Sequence, residues 1–316
     1  MPVQPVHAGV TLAAFVFAAA ASAQSYPEKP IRVLTTGVGG SSDITTRLIA
    51  QGAGGPFAQR MVVENRALVA VELVAAAPPD GYTLLHYSNV AWLMPVLQAG
   101  VPWDVFRDFA PIVLTVSTPN VLVVHPSLPV KSVKELIAFA KARPGQLNYA
   151  STSIGAGNHV AAELFNQMAG VKIVRINYKA MSAGFTDALS GQIQVFFPSA
   201  NSSTPYVKSG RLRALAVTSA EPSALVPDLP TVAAAGLPGY ESVAMTAMFA
   251  PAKTPEAIVR RLNQEINAVL KKPEVRERLL TQGTEGVGGP PEQLTAVMKS
   301  EIARVSRIAR DTGLKE

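Results

Sequence analysis

Short apolar segments typical of buried strands alternate with helix-like segments along most of this chain, and this alternation is its most restrictive feature. A strand-like segment at 31–35 is followed by small residues and then a helix-like segment that carries Ile44 and Leu48. The same order recurs at 147–150, before a helix-like segment that carries Val160 and Leu164. Alternating strands and helices indicate parallel sheets covered by helices. With 316 residues, the chain is predicted to form an α/β fold of about two domains.

The first 23 residues are interpreted as a signal peptide. The first charged side chain is Glu28, residues 8–21 are almost entirely apolar, and Ala21-Ser22-Ala23 matches a small-residue cleavage site. The segment before the apolar run lacks lysine and arginine, so a buried N-terminal helix is the alternative. Export is favoured, and we expect a periplasmic protein cleaved near Ala23.

Composition argues against most enzyme classes. The chain has no cysteine, which excludes a thiol nucleophile and a disulfide framework, and its four histidines show no metal-ligand spacing. Neither a G-x-S-x-G motif nor a phosphate-binding Walker motif occurs. The net charge of +6 is concentrated on amphipathic C-terminal segments, two of which are predicted as long helices. We therefore predict no enzyme, no catalytic residue, no cofactor, no metal and no nucleic-acid partner.

Two loops of small residues suit an anion. The segments 36–42 and 151–158 each follow a strand and precede a helix. Such loops direct backbone N–H groups and the positive end of a helix towards one point, and glycine lets a ligand approach the backbone. Ordinary strand-to-helix turns are the alternative, and spacing alone does not decide between them. Neither loop contains lysine or arginine, so amides and hydroxyls would meet most of an anion's charge.

The chain resembles the substrate-binding proteins of tripartite tricarboxylate transporters, the Bug family. The likeness spans the mature chain and rests on many short motifs in order, among them Val62-Val63-Glu64-Asn65-Arg66, Pro79-Asp80-Gly81-Tyr82-Thr83-Leu84-Leu85, Leu212-Arg213-Ala214-Leu215-Ala216-Val217-Thr218 and Leu229-Pro230-Thr231-Val232. The resemblance implies a type II periplasmic-binding-protein fold, in which two α/β lobes enclose a ligand cleft. Mapped on this chain, residues 25–124 plus 247–316 would form lobe one, and residues 125–246 lobe two.

The resemblance also implies a function. A monomeric periplasmic receptor would capture a small carboxylate and present it transiently to membrane permease subunits; a periplasmic sensor for the same ligand is the alternative. The residues expected to bind the ligand are Thr36, Gly37, Val38, Gly39, Gly40, Ser88, Ser151, Thr152, Ser153, Gly155, Gly157, His159, Tyr178, Met181 and Ser182. The first loop is one residue shorter than is usual in the family, and the glycines that usually follow Arg66 are missing. These departures leave the identity of the acid open.

Several single residues have two interpretations. Asp43 is predicted as a helix cap rather than a catalytic carboxylate. His159 is expected to be hydrogen-bonded within the lobe, with ligand contact as the alternative. Trp92, Tyr87 and Met181 either pack into the lobes or provide an apolar surface for an aromatic or medium-chain carboxylate.

Overall fold

The computed structural model describes residues 26–38, 41–53, 57, 61–151, 156–178 and 180–312. The predicted signal peptide lies outside the described residues. The strands, in chain order, are β1 (Ile31–Thr35), β2 (Met61–Asn65), β3 (Thr83–Ser88), β4 (Phe109–Pro119), β5 (Val121–Val124), β6 (Leu147–Ser151), β7 (Ile173–Asn177), β8 (Val195–Phe196), β9 (Arg213–Val217), β10 (Val243–Pro251) and β11 (Glu285–Gly286).

The helices are distributed along the whole chain. They are α1 (Ser41–Gly52), α2 (Val69–Ala75), α3 (Val90–Leu97), α4 (Val105–Asp108), α5 (Val133–Lys141), α6 (Gly157–Ala169), α7 (Met181–Ser190), α8 (Ala200–Lys208), α9 (Glu256–Leu270), α10 (Pro273–Thr281) and α11 (Pro291–Thr312). None of the helices in the described ranges is both long and apolar enough to cross a membrane.

The strands form two sheets of related topology. The six-stranded sheet has the order β2-β1-β3-β10-β4-β11, and the five-stranded sheet has the order β7-β6-β8-β5-β9. In each sheet, three strands that are consecutive in sequence lie with the first of them in the middle: β2-β1-β3 in one sheet and β7-β6-β8 in the other. Next to the third lies an antiparallel strand, β10 or β5, at which the chain enters that sheet from the other one. This shared order confirms the predicted α/β fold with two lobes.

Buried polar residues join the two segments that connect the lobes. The Asn120 backbone N–H donates to Thr218 Oγ1 at 2.8 Å, and the Thr218 N–H donates to the Asn120 carbonyl at 2.9 Å. The Ser242 N–H in turn donates to the Thr218 carbonyl at 2.9 Å. Since all three residues are buried, these bonds hold β5, β9 and the start of β10 together at the crossover.

The C-terminal helix α11 contacts both lobes. Leu294, Met298 and Val305 pack in the core that covers one face of the six-stranded sheet. Ile308 and Ala309, one turn further on, pack in the core of the five-stranded sheet with Phe165. A rigid helix with its two ends in different cores restricts how the lobes move relative to each other.

Most predicted elements are found, with two corrections. Ser132 and Glu135, which have the spacing of a capping box, begin α5: the Glu135 N–H donates to Ser132 Oγ, and the Glu135 carboxylate accepts from the Lys131 N–H. The prediction of two C-terminal helices is wrong, because Pro273 begins a separate helix, α10, between α9 and α11. Strand β4 was not predicted, since Pro111 interrupts its apolar run and proline has no N–H for a sheet.

Candidate ligand-binding site

The first predicted loop lies at the carboxyl edge of the six-stranded sheet. Strands β1 and β3 are parallel neighbours, so Thr36, which follows β1, and Ser88, which ends β3, lie at the same edge. Gly37 and Val38 are exposed there. The Thr36 hydroxyl oxygen is buried and has no hydrogen-bond partner among the described residues. Gly39 and Gly40 lie outside the described residues.

A buried carboxylate fixes this loop, and it corrects a sequence-based interpretation. Asp43 lies in the first turn of α1, and its Oδ1 accepts from Arg47 Nε at 3.0 Å and from Asn65 Nδ2 at 2.8 Å. Asn65 Nδ2 also donates to the Thr36 carbonyl at 2.8 Å. The prediction that Asp43 caps the helix is therefore wrong: the helix begins earlier, at Ser41, and the carboxylate connects α1 to β2 and the loop.

Beneath the loop, a buried histidine joins three strands and a helix. His86 Nε2 lies 2.8 Å from Thr115 Oγ1, which itself donates to the Thr246 carbonyl, so Nε2 is the donor. His86 Nδ1 lies 2.6 Å from the Thr46 hydroxyl. Burial lowers the pKa of His86 to about 4. The Thr46 hydroxyl also donates to the Ser42 carbonyl, at 2.5 Å, so these contacts join β3, β4 and β10 to the first turn of α1.

Ser151, at the start of the second predicted loop, has an arginine partner in another strand that sequence analysis missed. Ser151, the last residue of β6, is fully buried, and its Oγ accepts from Arg175 Nε at 2.6 Å. Arg175 belongs to the neighbouring parallel strand β7, and its Nη2 donates to Asn177 Oδ1 at 3.0 Å. This guanidinium adds a positive charge to a site expected to rely on amides and hydroxyls. Thr152, Ser153 and Gly155 lie outside the described residues.

The His159 side chain packs inside the lobe. It is buried, and its ring stacks on Tyr149 with the centroids 6.5 Å apart. The Tyr149 hydroxyl donates to Glu163 Oε1. Burial, and to a smaller extent the charge of Arg175, lower the pKa of His159 to about 4. The ring is thus neutral at neutral pH and carries no positive charge for an anion.

The remaining predicted residues lie beside this pair, at the start of α7. The Tyr178 N–H donates to the Ser151 carbonyl at 2.9 Å, so the ends of β6 and β7 are joined. The Tyr178 hydroxyl donates to Asp187 Oδ2 at 2.6 Å, and burial raises the pKa of Tyr178 to about 12. Met181 is half-buried, with its sulfur 3.6 Å from Asn158 Nδ2, and Ser182 is exposed.

A cavity of about 310 Å³ is lined by residues of both lobes. Gly157, a predicted ligand-binding residue, lines it from α6, and Asn89, which directly follows Ser88, lines it from the other lobe. Trp92 and Tyr87 do not line it: both are buried in the core of the first lobe, so they offer no stacking surface. The described residues contain no group of acidic, histidine or cysteine side chains that could hold a metal.

Two lobes of the same strand order, with helix N-termini and small polar residues at the cleft between them, define a solute-binding protein of the clamp class. Comparison with known proteins gives the family. Residues 45–314 match the tripartite tricarboxylate transporter family receptor, TctC. The chain belongs to this family.

Three relatives illustrate the match. Protein BugT of Bordetella pertussis is 33% identical over 314 residues, which cover 97% of this chain and 96% of BugT. The structure of Rhodopseudomonas palustris Rpa4515 with adipate is 33% identical, has a TM-score of 0.71, and covers 91% of this chain and 98% of that one. MatC from Rhodopseudomonas palustris, solved with bound malate, is 26% identical to this chain and has a TM-score of 0.68. The match covers 90% of this chain and 99% of MatC.

Proposed function

We propose that this protein is a periplasmic receptor that captures a small carboxylate and delivers it to the permease subunits of a tripartite tricarboxylate-type transporter. The observation that carries the proposal is the Ser151–Arg175 pair at the carboxyl edge of the five-stranded sheet, where a guanidinium donates to a hydroxyl. Arginine and hydroxyl donors suit a carboxylate. Two relatives of this chain have been solved with adipate and with malate, which supports the same ligand class here.

Capture depends on both lobes. A carboxylate at Ser151 and Arg175 would receive the buried Thr36 hydroxyl and the amides of the first loop from the opposite side when the clamp closes. Closure removes water from the ligand and strengthens each of these hydrogen bonds. The ligand therefore selects the closed form, and the closed form is the one that a permease can distinguish from the empty receptor.

Equilibrium dialysis tests capture, and analysis of the released ligand tests the absence of turnover. Mature protein would be dialysed against adipate or malate, and the bound acid would then be freed by denaturation and identified by mass spectrometry. We expect saturable binding and recovery of the unchanged acid. A chemically altered acid would mean an enzyme, and failure of every acid to bind would contradict the receptor.

Uptake by cells tests the transport role. A strain that lacks the gene should lose uptake of the acid that binds, wild-type protein should restore it, and the Arg175→Gln variant should not. Normal uptake in the deletion strain would contradict the role in transport while leaving ligand capture intact.

A further inference from the structure

The cavity between the lobes extends beyond the groups assigned to the carboxylate. It lies between α3, α6 and α11, next to the start of β10. Its volume of about 310 Å³ is at the small end of the range for ligand pockets. Gly157 lines it from α6, which follows the loop after β6, and Asn89 lines it from the residue after the end of β3.

The walls of the cavity are mainly apolar. The apolar side chains that line it are Val90, Leu93, Met94, Leu97, Val160, Val243, Ala244 and Val305. Val90, the first residue of α3, is 41% exposed. Val38, on the first predicted loop, is 82% exposed, and its strand β1 is the neighbour of β3. A ligand that covered these valines would gain from removing apolar surface from water.

The charged groups at the cavity disfavour a second carboxylate. Glu301 is buried, and its two oxygens accept from Asn89 Nδ2 at 2.9 Å and from Trp92 Nε1 at 2.7 Å. Arg304 also lines the cavity, but its Nη1 lies 3.4 Å from Glu241 Oε2. Arg304 is thus already paired with a protein carboxylate, and a ligand carboxylate beside Glu301 would lack a counter-charge.

From these observations we infer that the cavity holds the uncharged aliphatic tail of the bound acid, so that the preferred ligands are medium-chain monocarboxylates. The inference rests on the proposed function, since it assumes that a carboxylate binds at Ser151 and Arg175. It adds a choice of ligand: hexanoate should bind more tightly than adipate, which has the same number of carbons and a second carboxylate at its far end.

A series of acids measured by isothermal titration calorimetry tests the tail. For acetate, butanoate and hexanoate we expect affinity to rise about fourfold for each added methylene, the gain from burying one methylene group. Adipate should bind more weakly than hexanoate. Equal affinity along the series, or tighter binding of adipate than of hexanoate, would overturn the inference.

A variant that fills the cavity locates the tail. Val90→Trp should reduce the affinity for hexanoate by up to the gain that its four additional methylenes provide, roughly 250-fold, and affect acetate far less. Val287→Trp is the matched control, because Val287 is 40% exposed in the same lobe and does not line the cavity. Circular dichroism would verify that both variants are folded.

The outcomes separate this inference from the proposed function. If no acid of the series binds wild-type protein, the receptor function itself fails. If acids bind but Val90→Trp and Val287→Trp affect hexanoate equally, the carboxylate site stands and the cavity does not hold the tail.

Discussion

The Nε atom of Arg175 lies 2.6 Å from the hydroxyl oxygen of Ser151, which places a positive charge at the end of a strand next to the second predicted loop. The hydroxyl accepts from the guanidinium, so its own proton is directed elsewhere and can be donated to a ligand oxygen. Under the proposed function, the two side chains would provide a carboxylate with one charged donor and one neutral donor in adjacent positions.

Removal of the charge should weaken binding strongly. Arg175→Gln keeps a hydrogen-bond donor but loses the positive charge, and we expect the affinity for a carboxylate to fall by about 1.5–3 kcal/mol, the contribution of a charged hydrogen bond. Calorimetric titration measures this loss of binding free energy. Arg143→Gln removes an exposed charge from the same lobe and should have no effect. Equal losses in the two variants would mean that only the net charge of the lobe matters.

Removal of the hydroxyl should have a smaller effect. Ser151→Ala loses one neutral hydrogen bond to the ligand, which should cost about 1 kcal/mol of binding free energy. The same titration with Ser190→Ala, which changes an exposed serine at the end of α7, gives the baseline. Full affinity in Ser151→Ala would show that this hydroxyl only positions Arg175.

Two glycines allow the cleft to be blocked without disturbing the fold. A Cβ atom at Gly37 would meet no atom within 4 Å, and one at Gly157 would meet only Asn120 Nδ2, at 4.0 Å. Gly37→Val and Gly157→Val should thus keep nearly wild-type melting temperatures. Each should lower affinity by about tenfold or more, because a side chain would occupy the ligand's approach to the backbone. Unchanged affinity in either variant would remove that loop from the site.

Acid should destabilise the protein through His86. In the unfolded chain this imidazole binds a proton near pH 6.5, but burial lowers its pKa in the fold to about 4. Between these values the unfolded state holds more protons, so the free energy of unfolding falls as pH decreases from 6.5 to 4, by up to about 3 kcal/mol from this residue. Urea unfolding at several pH values measures the slope.

The variant His86→Gln separates this contribution from that of other groups. Glutamine keeps a polar amide beside Thr115 and Thr46 but does not titrate, so the unfolding free energy of the variant should depend less on pH in that window. A slope identical to the wild type would show that His86 does not cause the acid sensitivity. His159, whose pKa burial also lowers to about 4, would supply the remaining slope.

Much of the fold was predictable because its signals are local. Apolar runs mark β1 and β6, and the capping box at Ser132 and Glu135 marks the start of α5. The prediction failed at β4 and at α10, where two prolines have different structural roles. Pro111 lies within a strand, whereas Pro273 begins a helix. A local pattern does not distinguish these, since the pairing of β4 with β10 is made by residues far away in sequence.

The site was predictable only in part, because it is assembled from separate strands. The loops after β1 and β6 follow from small residues next to strand signals. One feature of the sequence pointed to Arg175: it is a charged residue within the apolar run Ile173-Val174-Arg175-Ile176. A charge in such a strand is costly without a partner. Its partner Ser151 lies in the adjacent strand, and no spacing along the chain indicates that pairing. The cavity likewise depends on α11, whose Glu301 reaches Asn89 across the sequence.

The most direct test of carboxylate recognition compares an acid with its own amide. Hexanoate and hexanamide have the same tail and nearly the same shape, but only the acid carries a charge that Arg175 can meet. Calorimetric titration of wild-type protein should show saturable binding of hexanoate, with hexanamide at least about tenfold weaker, as expected when one charged hydrogen bond is lost. Equal affinity for acid and amide would contradict the account.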